Sequence, residues 1–165
     1  MGGLQSKTLS VGNARIAGVL LTAEGLVRYR DVTLTNAQVL ALRATPISLV
    51  PAPGSTKMLE FVSAIVVSNA AAGAWVESAA NLVVRQTGTT GLVVSDVIET
   101  TGFFTAGIKA TRARAAIDPI GLLKNAPLVL HNNGAGEFTG GNAANTLRVR
   151  IFYRIHGFAD FGTFA

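Results

Sequence analysis

The two histidines of this sequence, His131 and His156, are its best candidates for acid–base or metal chemistry, because imidazole titrates near neutral pH. Each lies at the end of a predicted strand, and no carboxylate stands within three positions of either one. Asp96 and Glu99 are the one close pair of carboxylates. We interpret both histidines as surface or interface residues, and the carboxylate pair as a strand cap that faces water.

Motifs of known chemistry are absent from the sequence. Because the chain has no cysteine, disulfides, thiolate metal sites and cysteine catalysis are excluded. The glycine-rich stretch GAGEFTGG at 134–141 has a spacing that fits none of the phosphate-binding loops. The sequence therefore predicts a protein that is not an enzyme and that has no catalytic residue, cofactor or metal site.

Arginines form the clearest pattern, in the closing segment LRVRIFYRIH at 147–156. Successive side chains of a β-strand point to opposite faces. One face of this segment would be apolar, and the other would carry Arg148, Arg150 and Arg154. The stretch ATRARAA repeats the spacing with Arg112 and Arg114. We expect these five arginines to lie in a protein interface.

Three interpretations of the arginine-bearing face are open. The chain has 14 Lys and Arg against 9 Asp and Glu, a net charge of +5 and a pI of about 10.2, which favours an anionic partner. Arginine is enriched at the centres of protein interfaces. A solvated sheet face needs no partner, and no known nucleic-acid-binding motif accompanies the arginines. We rank protein contact first, the solvated face second and nucleic acid third.

The composition of the 165-residue chain points to assembly. Hydrophobic residues make up 49% and charged residues 14% of the chain, which is too apolar for a disordered protein and sufficient for one domain with a core. A small protein with so few charges often covers part of its surface with other copies or with another protein.

Strand signals separated by turn residues dominate the chain from residue 46 onward. This alternation is typical of an all-β sandwich or barrel. The segments are PISLVPAPG, KMLEFVSAIVVSN, NLVVRQ, GLVVSDVIE, GIKATRARAAI, PLVLHNN and the arginine-bearing segment. The three prolines of the first segment suit an edge strand or a loop. One short helix is predicted in LTNAQVLAL at 34–42, because Thr35 and Gln38 form a capping box and Pro46 limits its length.

Residues 1–30 differ from the rest and predict an extended N-terminal arm or a loosely tied first strand, followed by a single domain over 31–165. The segment begins with small, polar and glycine residues, which bury little by themselves. Its first six residues, MGGLQS, match the myristoylation pattern, although so short a match arises easily by chance. No stretch reaches the roughly 20 apolar residues of a membrane span, so we expect no membrane partner.

Trp75 stands alone among small residues in AAGAWVESAA. An isolated tryptophan of this kind can stack on a sugar or a base if it is exposed, and otherwise it fills a core or a subunit contact. We favour the packing role.

Two long stretches frame the β-rich middle of the chain: LTNAQVLALRATPISLVPAPGSTKML and NAPLVLHNNGAGEFTGGNAANTLRVRIFYRI. Together they resemble the capsid decoration, or cement, proteins of tailed bacteriophages. The resemblance covers about Thr33 to Ile155 and rests on a pattern of hydrophobic residues, Pro and Gly. It implies an antiparallel jelly-roll-like β-sandwich, with the short N-terminal helix and the extended arm described above.

The resemblance also implies a role. Proteins of this kind are trimers that sit on the outside of an icosahedral head and stabilise the shell. The expected partners are the chain itself, as a homotrimer, and the major capsid protein. The protein would be made in the host bacterial cytoplasm and would end on the exterior of the virion. The alternative is a tail, fibre or receptor-binding module that presents an exposed Trp75 and the loop HNNGAGEFTGGN to a glycan.

Overall fold

A computed structural model of the chain describes residues 26–77, 81–117 and 121–158, together with the backbone of two short strands near the N-terminus. These strands, β1 (Ala14–Ile16) and β2 (Val19–Leu21), pair antiparallel. The rest of residues 1–25 and the tail from 159 to 165 lie outside the described residues. The N-terminal arm and the division of the chain at residue 30 therefore remain predictions.

Four antiparallel strands form a large sheet, in the order β3 (Arg28–Thr35), β11 (Thr146–Gly157), β5 (Lys57–Ala70) and β8 (Gly107–Arg114). Burial alternates along β11 and much of β5, because one face of the sheet packs on the core. β3 begins in the segment that the sequence assigned to the arm. Because most of its residues are polar and exposed, β3 lacks the apolar alternation that would have predicted a strand.

Three strands form a small sheet, in the order β4 (Ile47–Val50), β9 (Leu128–Asn132) and β7 (Leu82–Gln86). β4 is an edge strand followed by Pro51 and Pro53, as its prolines predicted, because proline cannot donate to a sheet ladder. The central strand β9 is buried at every position.

The segment GLVVSDVIE, predicted as a strand, forms isolated bridges instead. The amide of Val94 donates to Val84 of β7, and the amide of Asp96 donates to Arg114 of β8. Because the segment changes partner within two residues, neither sheet gives it a regular ladder. It joins the small sheet to the last strand of the large one.

The predicted helix is α1, Asn36–Leu40, which follows β3 directly. Thr35 caps its first turn: the Thr35 hydroxyl accepts from the Gln38 amide at 3.4 Å, and the Gln38 side chain accepts from the Thr35 amide at 2.9 Å. The capping box is therefore confirmed, and Val39 turns into the core.

Aromatic side chains close one end of the core. The short strands β6 (Trp75–Val76) and β10 (Thr139–Gly140) pair there, so part of the stretch predicted as a loop is a strand. The ring centroid of Phe104 lies 4.8 Å from that of Trp75 and 4.9 Å from that of Phe138. Gly141 has a φ of +72°, and a Cβ there would lie 2.7 Å from the Trp75 ring, so only glycine fits.

The described residues thus form an antiparallel, two-sheet, all-β structure with one short helix, which confirms the predicted fold class. The core contains the inward side chains of both sheets, the aromatic group and Val39 of α1. A jelly-roll order of connections remains what the resemblance implies.

Candidate protein-contact surface

The closing strand β11 has the two faces that its sequence predicted. Leu147, Val149 and Ile151 are at most 1% exposed, whereas Arg148 and Arg150 between them are exposed. Burying side chains of this size stabilises the fold by about 1.5–3 kcal/mol each relative to exposing them. The core therefore fixes the orientation of the strand, and the arginines must point away from it.

The register of the large sheet brings arginines of two strands onto one side. Paired residues of neighbouring antiparallel strands point to the same side of the sheet. Arg150 pairs with Ile65 of β5, which in turn pairs with Arg112 of β8. We call this side the outward face; in four rows across the sheet it consists of Thr35, Thr146, Asn69, Ile108; Thr33, Arg148, Val67, Ala110; Asp31, Arg150, Ile65, Arg112; and Tyr29, Phe152, Ser63, Arg114.

Arg150 is held by an ion pair within the outward face. Its Nε and one terminal nitrogen donate to the two carboxylate oxygens of Asp31, each at 2.7 Å. These hydrogen bonds lower the pKa of Asp31 and raise that of Arg150. The guanidinium also lies 4.9 Å from the centroid of the Tyr29 ring. This arginine is already oriented for contact with a partner.

Arg154 is placed differently from the other predicted arginines. The pairing of β11 with β5 shifts by one residue between Phe152 and Tyr153. Beyond the shift, Arg154 and His156 both contact Glu60, with N–O distances of 3.2 Å and 2.7 Å. This part-buried group joins two strands of the sheet, which suits a structural role.

Arg112, Arg114 and Arg148 are exposed and have no ion-pair partner among the described residues. The nearest acidic contact, Asp96, accepts from the backbone amide of Arg114 at 2.8 Å rather than from its side chain. Three cations of the outward face are thus available to an external partner.

Apolar side chains lie between these cations. Ile65 is 41% exposed, Ile108 is 71% exposed and Tyr29 is 63% exposed. A depression of about 400 Å³ opens on the same side, lined mainly by Ile65, Val67, Thr33, Asp31, Arg148 and Arg150. Mixed apolar and arginine surface of this kind is typical of the centre of a protein interface.

His131 and Glu99, which were considered for catalysis, lie outside the outward face. His131 is only 5% exposed, in the central strand of the small sheet, so the prediction of a surface or interface histidine is wrong for it. Sequence could not show this, because burial on both faces of β9 depends on segments far away in the chain. Glu99 is exposed, its carboxylate 3.4 Å from the Asn81 side-chain amide.

Trp75 has the packing role that we favoured. Its side chain is 4% exposed, and its indole N–H donates to the Asn36 side-chain oxygen at 2.6 Å. The glycan-binding alternative required an exposed Trp75, and that requirement is not met.

The sequence did not predict the two carboxylates that form ion pairs with Arg150 and Arg154. Asp31 and Glu60 contact β11 from strands 119 and 94 positions away, so no local pattern could have identified them.

Within residues 26–77, 81–117 and 121–158, no group of three His, Cys, Asp or Glu could hold a metal ion. No helix of the described chain is long and apolar enough to cross a membrane.

No protein-family model matches this sequence, and no curated protein matches it. Two solved structures align with the fold. One, described as "Capsid of Ralstonia phage GP4", is 19% identical over 82% of this chain and 88% of that chain, with a TM-score of 0.47. The other, "Cyanophage Pam1 capsid asymmetric unit", is 14% identical over 86% of this chain and 93% of that chain, with a TM-score of 0.46. Identities and scores this low assign the chain neither an activity nor a partner.

Proposed function

We propose that this chain is a structural protein of a bacteriophage virion, a capsid decoration protein that binds the outside of an icosahedral head. The observation that carries the proposal is the outward face, where exposed apolar residues lie among Arg112, Arg114 and Arg148, which have no ion-pair partner among the described residues. The resemblance of residues 33–155 to decoration proteins supplies the setting. In this proposal the protein is made in the host cytoplasm and ends on the capsid exterior.

The outward face fits a protein partner better than nucleic acid. Binding to nucleic acid is dominated by cation–phosphate contacts, for which exposed isoleucines contribute nothing. Here Ile65 lies between Arg150 and Arg112, and Val67 lies beside Arg148. An acidic protein surface with apolar residues of its own would cover both components. The expected partner is therefore the major capsid protein.

The size of the outward face limits how tightly one copy can bind. Its four rows across four strands hold 16 residues. A standard protein complex uses roughly 20–30 residues on each partner. One outward face alone is therefore too small for tight binding, and we expect a trimer that contributes three faces or additional surface around each one.

Stabilisation of the shell would follow from mass action. A protein that binds the assembled shell and not its separated subunits stabilises the shell by about 2.7 kcal/mol per site when it is present at 100 times its Kd. Many modest sites on one head would add to a large total. No catalytic step is needed.

The proposal is tested by co-sedimentation with undecorated heads, assembled from the major capsid protein of the phage or prophage that carries this chain. Wild-type protein is expected to sediment with the heads and not with unassembled subunits. Changing Arg112, Arg114 and Arg148 together to Gln should weaken binding at least about tenfold, since Arg side chains are frequent binding hot spots. Light scattering of the free protein measures its oligomeric state, which is expected to be a trimer.

Arg30→Gln is the matched control, because Arg30 is an exposed arginine whose register partner is the buried Ile151 rather than a member of the outward face. It should bind heads like the wild type. Equal binding by the triple variant, or no binding by the wild type, would contradict the proposal. Binding to duplex DNA that falls steeply with salt would favour the nucleic-acid interpretation instead.

A further inference from the structure

A second group of cations lies away from the outward face, on the small sheet. Arg43, Arg85, Thr89, His131 and Asn133 line a cavity of about 280 Å³. Arg85 belongs to β7 and His131 to β9, whereas Arg43 follows α1 and Thr89 follows β7. No carboxylate is among these lining residues. Residues from three separate stretches of the chain thus meet around one opening, and two of them, Arg43 and Arg85, carry positive charge.

Two buried polar atoms at this cavity lack a partner in the described part of the chain: Nδ1 of His131 and Nε of Arg85. The rest of the Arg85 guanidinium is tethered. One terminal nitrogen donates to the Gly91 carbonyl at 2.7 Å, and the other donates to the side-chain oxygen of Asn133. Because an unpartnered buried polar atom is costly, a ligand that hydrogen-bonds these atoms would be favoured.

The charges around His131 come from three directions. Arg85 faces it from β7 and Arg43 from the turn after α1, while Glu137 lies on the loop before β10. The two Glu137 oxygens accept from the backbone amides of Arg43 and Ala44 at 2.9 Å and 2.7 Å. This carboxylate is therefore engaged by backbone amides, and it is not among the residues that line the cavity.

We propose that this cavity binds an oxyanion, such as phosphate, sulfate or a carboxylate, between the Arg43 and Arg85 guanidiniums with His131 at its base. Arginine and protonated imidazole are preferred partners of such groups. Thr89 also lines the cavity, and its hydroxyl is a further hydrogen-bond donor there. The proposal is independent of the capsid role proposed above.

Binding should be linked to proton uptake by His131. Burial lowers the pKa of this imidazole, the positive charge of Arg85 lowers it further, and a hydrogen bond to the Arg43 backbone opposes the shift. Nδ1 has no partner in the described part of the chain, so it is the nitrogen left to take up a proton. An anion beside Nδ1 favours that proton, which comes from solvent, and the resulting N–H donates to the anion.

The chain has two histidines, so the imidazole resonances of His131 and His156 can be followed separately. Imidazole resonances of the full-length protein are followed by NMR during a sodium sulfate titration at constant ionic strength, with His156 as the internal reference. Sulfate keeps its charge across the range, so pH acts on the protein alone. We expect a saturable shift of His131 toward its protonated position, with affinity at least about fivefold weaker near pH 8 than near pH 6.

Variants keep the test decisive. Arg85→Gln and Arg43→Gln should each abolish the saturable shift; Arg43 is exposed in a turn, so its replacement leaves the fold intact even if the Arg85 variant does not fold. Arg148→Gln, on the other sheet, should leave the shift unchanged. A His131 resonance that does not respond, that responds equally to chloride, or that still responds in Arg43→Gln would overturn the proposal.

Two sources of the anion are distinguished by protein concentration. If free oxyanion is the ligand, the His131 shift depends on sulfate and not on protein concentration. If a carboxylate of a second copy is the ligand, the same shift develops without sulfate as the protein is concentrated. Either dependence supports the site.

Discussion

The two sheets of this protein use arginine in opposite ways. On the outward face of the large sheet, Arg112 and Arg148 are exposed and have no ion-pair partner among the described residues. On the small sheet, Arg85 is partly buried and held by Gly91 and Asn133, beside the buried His131. The first arrangement suits a large external partner, and the second suits a small anion.

The difference follows from what covers each sheet. Along β8, exposed residues alternate with partly or fully buried ones, whereas β9 is buried at all five positions. A cation on a bare sheet face keeps its water and costs little. A cation at a covered face loses water and must find hydrogen bonds or an anion.

The largest expected effect tests whether the two sheets differ in their contribution to stability. Leu130→Ala, in the fully buried β9, should lower the free energy of unfolding by about 2–5 kcal/mol, because it leaves a cavity. Ile65→Ala, on the outward face, should lower it by only about 1 kcal/mol, since Ile65 is 41% exposed and loses less buried apolar surface. Urea unfolding measures both. Similar losses for the two variants would show that the outward face is part of the folding core.

A smaller effect, dependent on pH, should come from His131. Its native pKa lies below the ordinary value of 6.5, so the unfolded chain binds the proton more readily than the native one. The stability that neutral His131 contributes is therefore complete above pH 6.5 and is lost as pH falls below it. Urea unfolding in a buffer poor in oxyanions should show a steeper fall for the wild type than for His131→Gln.

The difference between these two proteins isolates His131 from other titrating groups. It should widen in favour of the wild type as pH rises from about 5 to about 7. With an anion at the oxyanion site, sulfate should flatten the pH dependence of wild-type stability and leave the pH dependence of the variant unchanged. A difference that is constant with pH would show that His131 titrates alike in both states.

The smallest expected effect concerns the unpaired arginines. Changing Arg112, Arg114 and Arg148 to Gln should leave the free energy of unfolding within about 0.5 kcal/mol of the wild type, because exposed charges without partners contribute little. Thermal and urea unfolding check this. A large loss of stability would mean that these side chains hold the fold together, and the comparison between the sheets would fail.

Local patterns predicted much of the fold. Three features could be predicted because each depends on neighbours within a few positions. They are the capping box of Thr35 and Gln38, the edge strand before Pro51 and the two faces of β11. β3 was missed, since its apolar residues are few and its flanking residues polar. The segment 91–99 was predicted as a strand, but its partners change between the two sheets.

The amino-acid pattern of β11 is enough to give it an apolar and a cationic side, because alternation is a property of the extended backbone. The tertiary structure is needed to bring Arg112 to the same outward face as Arg150, Asp31 to Arg150 and the buried His131 to Arg85. These contacts depend on strand order and register. Both are set by packing between segments that are distant in the chain, which a local pattern does not record.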